Sequence, residues 1–153
     1  MTAPRSTPRS PEKRIAVLLV DDHKVIRTEL RKTLEAASDI QVVGEAADGK
    51  QAVDMALKLR PAVVVMDISM PKLNGLDATH QILQVLPATK VLICSVHSDE
   101  AYVESAMEVG AAGYINKLTS LDILVAAIRA VQKVNTFISP AIAKSFNKRK
   151  AHL

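Results

Sequence analysis

The chain has 153 residues, 48% of them apolar but only 3% aromatic and none Trp, so one domain with an aliphatic core is expected. No strictly apolar run exceeds the length of Ile15–Val20, well short of the ~20 residues that cross a bilayer, and the N-terminus lacks the apolar stretch of a secretory signal. The formal net charge of +4 sits in the tails, where Arg5, Arg9, Lys13 and Arg14 face only Glu12 and where Lys144, Lys148, Arg149 and Lys150 face no acid; the middle is mildly acidic, and the tails read as solvated.

Residues 1–13 are rich in Pro, Ser, Thr and Arg without an apolar period, which predicts a disordered leader. From there, short apolar runs alternate with helical periods. The runs Ile15–Val20, Ile40–Gly44, Ala62–Met66, Val91–Cys94 and Gly113–Asn116 predict strands. The first helix is expected over 24–37, with Ile26, Leu30, Leu34 and Ala37 inward. The second covers 50–59, with Val53, Ala56 and Leu57 together, and the third 75–85, with Leu76, Ile82 and Leu83 inward. A weaker period covers 99–109, and a clear one covers 120–134 through Leu121, Leu124, Val125, Ile128 and Val131. Ser120 or Thr119 is expected to cap that last helix. Pro61 and Pro87 close the second and third helices, and Asn74–Gly75 reads as a turn. The structured part is taken as 14–135, with 136–153 a basic linker or helical tail. The single cysteine, Cys94, excludes an internal disulfide, suits a reducing cytosol and reads as a small buried strand residue.

Five strand–helix units in succession predict an α/β fold: a doubly wound, five-stranded parallel sheet with five helices and strand order 2-1-3-4-5. In that order strands 1 and 3 are neighbours at the switch point, where ligands bind outside the strand ends. Asp21 and Asp22 follow strand 1 and Asp67 follows strand 3. Each alone is explained as a helix-capping residue. Three together would repel one another unless a cation joined them, and hard oxygen donors with room for water suit Mg²⁺. Ser95 ends strand 4 and Lys117 follows strand 5. A hydroxyl and an ammonium beside carboxylates and a metal form a site for a phosphoryl group. His23 reads as a surface residue at the start of helix 1.

The strings VDDH, VVVMDISMPKLNG, ICSVHSDE and GAAGYINK resemble response-regulator receiver domains in order and spacing, over about residues 14–135. The wording DDH, with GAAGYINK and a late FISP, looks most like the subgroup whose receivers precede a LuxR-type helix-turn-helix domain. The resemblance implies a flavodoxin-like, CheY-like fold, with Asp67 as phosphoacceptor and a histidine kinase or phosphotransfer protein as donor. It implies Mg²⁺ held directly by Asp22, Asp67 and the main-chain carbonyl of Ser69, with Asp21 acting through water. Lys117 would pair with Asp67 and then with the phosphoryl group. Ser95 and Tyr114 would be the switch pair, Tyr114 turning from exposed to buried. Ser69 and His97 occupy positions that tune phosphoryl loss. It further implies a cytoplasmic protein that dimerises on phosphorylation through helix 4, strand 5 and helix 5, and no DNA or membrane contact by the receiver itself. Enzymatic activity is expected only toward its own phosphorylation state.

Where the family often has Lys-Pro in a cis peptide, Leu118 follows Lys117. Without proline a cis bond costs about 2.5–4 kcal/mol, so a trans or a strained cis bond is expected. Two other functions fit parts of the pattern. A Mg²⁺-dependent phosphohydrolase with an aspartyl nucleophile needs an acid two residues after it, where this chain has Ser69. A stand-alone interaction module would have no use for the set Asp21, Asp22, Asp67 and Lys117. The output is expected to be transcriptional, through a DNA-binding domain absent from this chain, the alternative being a stand-alone receiver acting through protein contacts.

Overall fold

The computed structural model of the protein describes residues 14–118, 121–133, 136–138 and 142. Five strands alternate with five helices: β1 (Ile15–Val20), α1 (Lys24–Glu35), β2 (Ile40–Ala46), α2 (Gly49–Leu59), β3 (Val63–Met66), α3 (Gly75–Val85), β4 (Lys90–Ser95), α4 (Glu100–Glu108), β5 (Gly113–Asn116) and α5 (Leu124–Lys133). A 3₁₀ turn, Leu121–Ile123, leads into α5, and a short strand β6 (Phe137–Ile138) follows it. The sheet runs β2-β1-β3-β4-β5-β6, with every pairing parallel. The five-strand order expected from the alternation is present, and β6 extends it at the β5 edge. Two residues are too short to show a period, which is why 136–153 read only as a linker. β5 leaves an edge of backbone groups, and Phe137 N–H fills one by donating to Ala112 O at 3.0 Å. No helix is long and apolar enough to cross a membrane among the described residues.

The parallel strands are buried on both faces, so they read as continuous apolar runs. Val17, Leu19, Val63, Val65, Leu92 and Ile115 face one layer with Leu30 and Leu34 of α1 and Leu124, Ile128 and Val131 of α5. Leu18, Val20, Val64, Met66, Val91, Ile93 and Tyr114 face the other, with α2, α3 and α4. On α2 Gly49, Ala52 and Ala56 are buried, and Leu57, which the period groups with Val53 and Ala56, is 37% exposed. Ala52 and Ala56 let α2 approach the sheet closely, while Met55 and Leu59 reach over Gly44 of β2. On α3 Ala78 and Thr79 are buried beside Ile82, while Leu76 and Leu83 are half-buried. Asn74 is more than a turn residue: its side chain caps α3 by accepting from Leu76 N–H and Asp77 N–H, each at 2.9 Å. Asp48 caps α2 by accepting from Gln51 N–H at 2.8 Å. The expected cap of α5 at Ser120 or Thr119 lies outside the described residues. No peptide bond among the described residues is cis, so Lys117–Leu118 takes the trans form.

Candidate functional site

Register decides which side chains meet at the end of the sheet. β1 pairs with β3 so that Val20 lies opposite Met66, and the next residue on each strand is an aspartate, Asp21 and Asp67. Asp67 N–H donates to Val20 O at 3.0 Å, which continues the ladder one step and sets the two carboxylates side by side. Lys117 enters from the far side, since its N–H donates to Ser95 O at 3.0 Å just beyond β4 and β5. Its ammonium donates to Asp21 Oδ2 at 2.6 Å and to Asp67 Oδ2 at 3.1 Å. All three residues are buried. The three sequence-predicted charges from three strand ends therefore meet at one point.

Charge shapes this pocket. Burial holds the Asp67 carboxyl above its ordinary pKa; Lys117 pulls it down and the Asp21 charge pushes it up. Burial alone would favour a neutral Lys117, yet the hydrogen bond to Asp21 and the charges of Asp67 and Asp21 win and raise its pKa. Lys117 thus stays an ammonium. With Asp22 present, three carboxylates share one ammonium, and the remaining negative charge matches a divalent cation. Asp22 lies at the mouth of the pocket, its side chain 27% exposed. Its Oδ1 atom is buried and has no hydrogen-bond partner. His23 Nδ1, at 3.0 Å, lies within ion-pair reach of it but makes no hydrogen bond there. Ligand atoms of Asp21, Asp22, His23 and Asp67 all lie within 4.8 Å of one another. An orphaned carboxylate oxygen among hard donors is what a Mg²⁺ site requires, so the residues fit the ion.

Three neighbours had no signal in the sequence. His23, read as a surface residue, is 64% exposed at its side chain, yet its N–H donates to Asp21 Oδ1 at 2.8 Å and its Nδ1 lies 3.2 Å from that atom. Arg27 of α1 donates to the main-chain carbonyl of Asp21 at 2.7 Å and to Glu45 of β2 at 2.9 Å, bracing the β1 end from below. An arginine on a helix reads as a solvated charge, and nothing in the spacing shows the carbonyl it reaches. Tyr102 stacks on His97 with ring centroids 4.4 Å apart.

The remaining predicted residues form a second chain of contacts. Ser95, fully buried, accepts from His97 N–H at 3.1 Å. Tyr114 is also fully buried, and its hydroxyl donates to His97 O at 2.7 Å. Burial pushes that hydroxyl's pKa up to about 12. Ser69 is exposed, with Oγ 3.2 Å from His97 Nε2. His97 thus touches Ser69, Ser95 and Tyr114 at once. The tyrosine occupies the buried position.

Cys94 sits on β4, 2% exposed, and burial pushes its thiol pKa up to about 12. Against an ordinary thiol value of 9.0, that leaves roughly a thousand-fold less thiolate near neutral pH. Iodoacetamide should leave the native protein unlabelled at mildly alkaline pH and modify Cys94 fully in urea. Fast native labelling, followed by mass spectrometry, would contradict this burial.

Comparison with known proteins agrees with the geometry. The response regulator receiver domain family matches residues 17–129. The chain is 35% identical over 142 residues to the transcriptional regulatory protein DegU of Brevibacillus brevis, covering 93% of this chain and 60% of that protein. It is 40% identical over 130 residues to the response regulator GacA of Pseudomonas aeruginosa, covering 85% and 61%. The chain therefore spans about three-fifths of the length of these relatives. Among solved structures, a LuxR-family two-component response regulator from Aurantimonas superposes with a TM-score of 0.87 at 34% identity, covering 90% of this chain and 99% of that one. The response regulator domain of Thermotoga maritima CheB gives 0.75 at 33% identity, covering 80% and 98%. The fold is CheY-like, and the chain belongs to the response-regulator receiver domains of two-component systems.

Proposed function

We propose that Asp67 accepts a phosphoryl group from a phosphohistidine on a partner kinase or phosphotransfer protein, and that Ser95 and Tyr114 convert this event into a change of surface. The observation that carries the reading is Lys117, buried and shared between Asp21 and Asp67 at 2.6 and 3.1 Å, beside a partnerless Asp22 oxygen. Asp22, Asp67 and the Ser69 carbonyl would hold Mg²⁺ directly, with Asp21 acting through water. When bound, the ion shields carboxylate charge and polarises the phosphoryl oxygens. Asp67 Oδ2 exchanges its hydrogen bond from Lys117 for a bond to phosphorus as the P–N bond of the phosphohistidine breaks and the donor imidazole leaves with that electron pair, and the Lys117 ammonium passes to the phosphoryl oxygens. Ser95 Oγ accepts from His97 N–H, and its own proton would turn to donate to the same group. Ser69 and His97 line the approach of water and set how long the phosphoryl group lasts.

Acetyl phosphate with Mg²⁺ should label the protein, and Asp67→Asn should abolish the label while leaving the fold intact. Persistent labelling of that variant, read by mass spectrometry, would remove Asp67 from this role. The phosphohydrolase alternative needs an acid at position 69, and Ser69 supplies none; rapid turnover of a small phosphoester would revive it. Because DegU and GacA carry transcriptional and response-regulator names, the output is inferred to be transcription, in the cytoplasm, through a DNA-binding domain outside this chain. Phosphorylation-dependent homodimerisation is part of the same reading. β6 covers the edge of β5, so α5 and the exposed outer side of α4 are the parts of the expected surface left for a second copy. Equal sedimentation with and without beryllium fluoride would count against the dimer.

A further inference from the structure

We propose that the segment after α5 is an intramolecular partner of the α4–β5 face, and that its docking is coupled to the buried position of Tyr114. This rests on the phosphoacceptor reading above and adds the route by which the site reaches the C-terminal segment. Tyr114 lies opposite Ile138 in the β5–β6 register. Partner residues on neighbouring strands point to the same face. Ile138 packs against the cluster that contains Tyr114, Val103 and Ala106. Ile142, 4% exposed, is buried in the same cluster. The approach of β6 is close enough to demand glycine: a Cβ on Gly113 would lie 2.4 Å from Phe137 O. Phe137 N–H closes the contact on Ala112 O at 3.0 Å.

Two isoleucines from the segment therefore pack into the apolar layer that holds Tyr114. While they are docked, Tyr114 stays buried with its hydroxyl on His97 O. The Tyr114–His97–Ser95 contacts link that position to the phosphoryl site. If docking favours buried Tyr114, and buried Tyr114 favours a phosphoryl group at Asp67, then phosphorylation must favour docking by the same factor. The occupant is the chain's own stretch that carries Phe137, Ile138 and Ile142, and a second copy gains access to the β5 edge only when β6 leaves.

Hydrogen exchange of the full chain tests both directions. With Mg²⁺ and saturating beryllium fluoride, exchange of the Phe137 amide should slow. In the reverse direction, I138A/I142A should weaken beryllium fluoride binding about five-fold or more, while circular dichroism shows the domain still folded. Unchanged or faster Phe137 exchange, with ¹⁹F resonance showing the fluoride bound, would overturn the coupling alone. A ¹⁹F signal that is absent, or that survives Asp67→Asn, would overturn the phosphoacceptor reading and the coupling together. The wild-type exchange measurement decides the case even if the double variant fails to fold.

Discussion

Lys117→Ala should destabilise the metal-free protein by about 3–5 kcal/mol, which is the range for removing one partner of a buried ion pair. The lysine is 5% exposed, and it holds Asp21 and Asp67, 1% and 4% exposed. Without it, two carboxylates face each other with no counter-charge and little water. A domain of this size has about 5–15 kcal/mol in total, so the loss is a large fraction. The sign with pH follows from Asp67. Its carboxyl already has a raised pKa through burial, and losing the ammonium raises it further. The protonated form is favoured in the fold, so the penalty is full above the folded pKa and fades as pH falls toward the unfolded value. The deficit near neutral pH should therefore shrink as pH falls toward the ordinary carboxylate range. A divalent cation should restore more stability to the variant than to the wild type, because binding to the native state alone adds stability and the variant offers more uncompensated charge. Urea unfolding with and without Mg²⁺ gives both numbers. An unchanged midpoint in metal-free buffer would mean that Asp21 and Asp67 do not depend on Lys117.

What could be read in advance divides along physical lines. The strand runs and the period of α5 were visible because burial on two faces leaves an unbroken apolar signal. The site was visible because a parallel sheet places chain-adjacent residues at fixed corners, so Asp21, Asp67, Ser95 and Lys117 needed only the strand order to be brought together. Leu57 was misplaced because α2 meets the sheet through Ala52 and Ala56, and small residues carry almost no periodic weight. Arg27 was invisible because its partner is a main-chain carbonyl, which any residue supplies. β6 was invisible because its partner edge, not its own sequence, makes it a strand. The trans bond at Lys117–Leu118 was one of two outcomes the sequence allowed; with it, the ammonium still reaches both carboxylates.

Gly75→Ala should slow phosphorylation about a hundred-fold, although the residue carries no functional group. Gly75 opens α3, and its N–H donates to Ile68 O at 2.8 Å. A Cβ there would lie 1.8 Å from Asp67 O, 2.8 Å from Asp67 C and 3.0 Å from Ile68 Cα. All three are backbone atoms, so no side chain can rotate away. Its backbone is not in the left-handed region, so the demand for glycine comes from space, not from φ. Alanine has a better helix propensity by about 1 kcal/mol, but that gain applies in a helix interior, and Gly75 is the first residue of its helix. Overlap with fixed backbone costs about 1–3 kcal/mol, so the clash decides the sign. Relief requires the segment after β3 to move away from α3, and Asp67 moves with it. Its Oδ2 then leaves the 3.1 Å contact with Lys117, and the shared geometry with Asp21 is lost. A displacement of about 1 Å is enough to misalign an in-line transfer. The test compares acetyl phosphate labelling of Gly75→Ala with that of Leu118→Ala, an exposed neighbour of the pocket that should label at the wild-type rate. If Gly75→Ala also labels at that rate, then Asp67 is not held by the start of α3, and the placement of the phosphoacceptor must come from β3 and Lys117 alone.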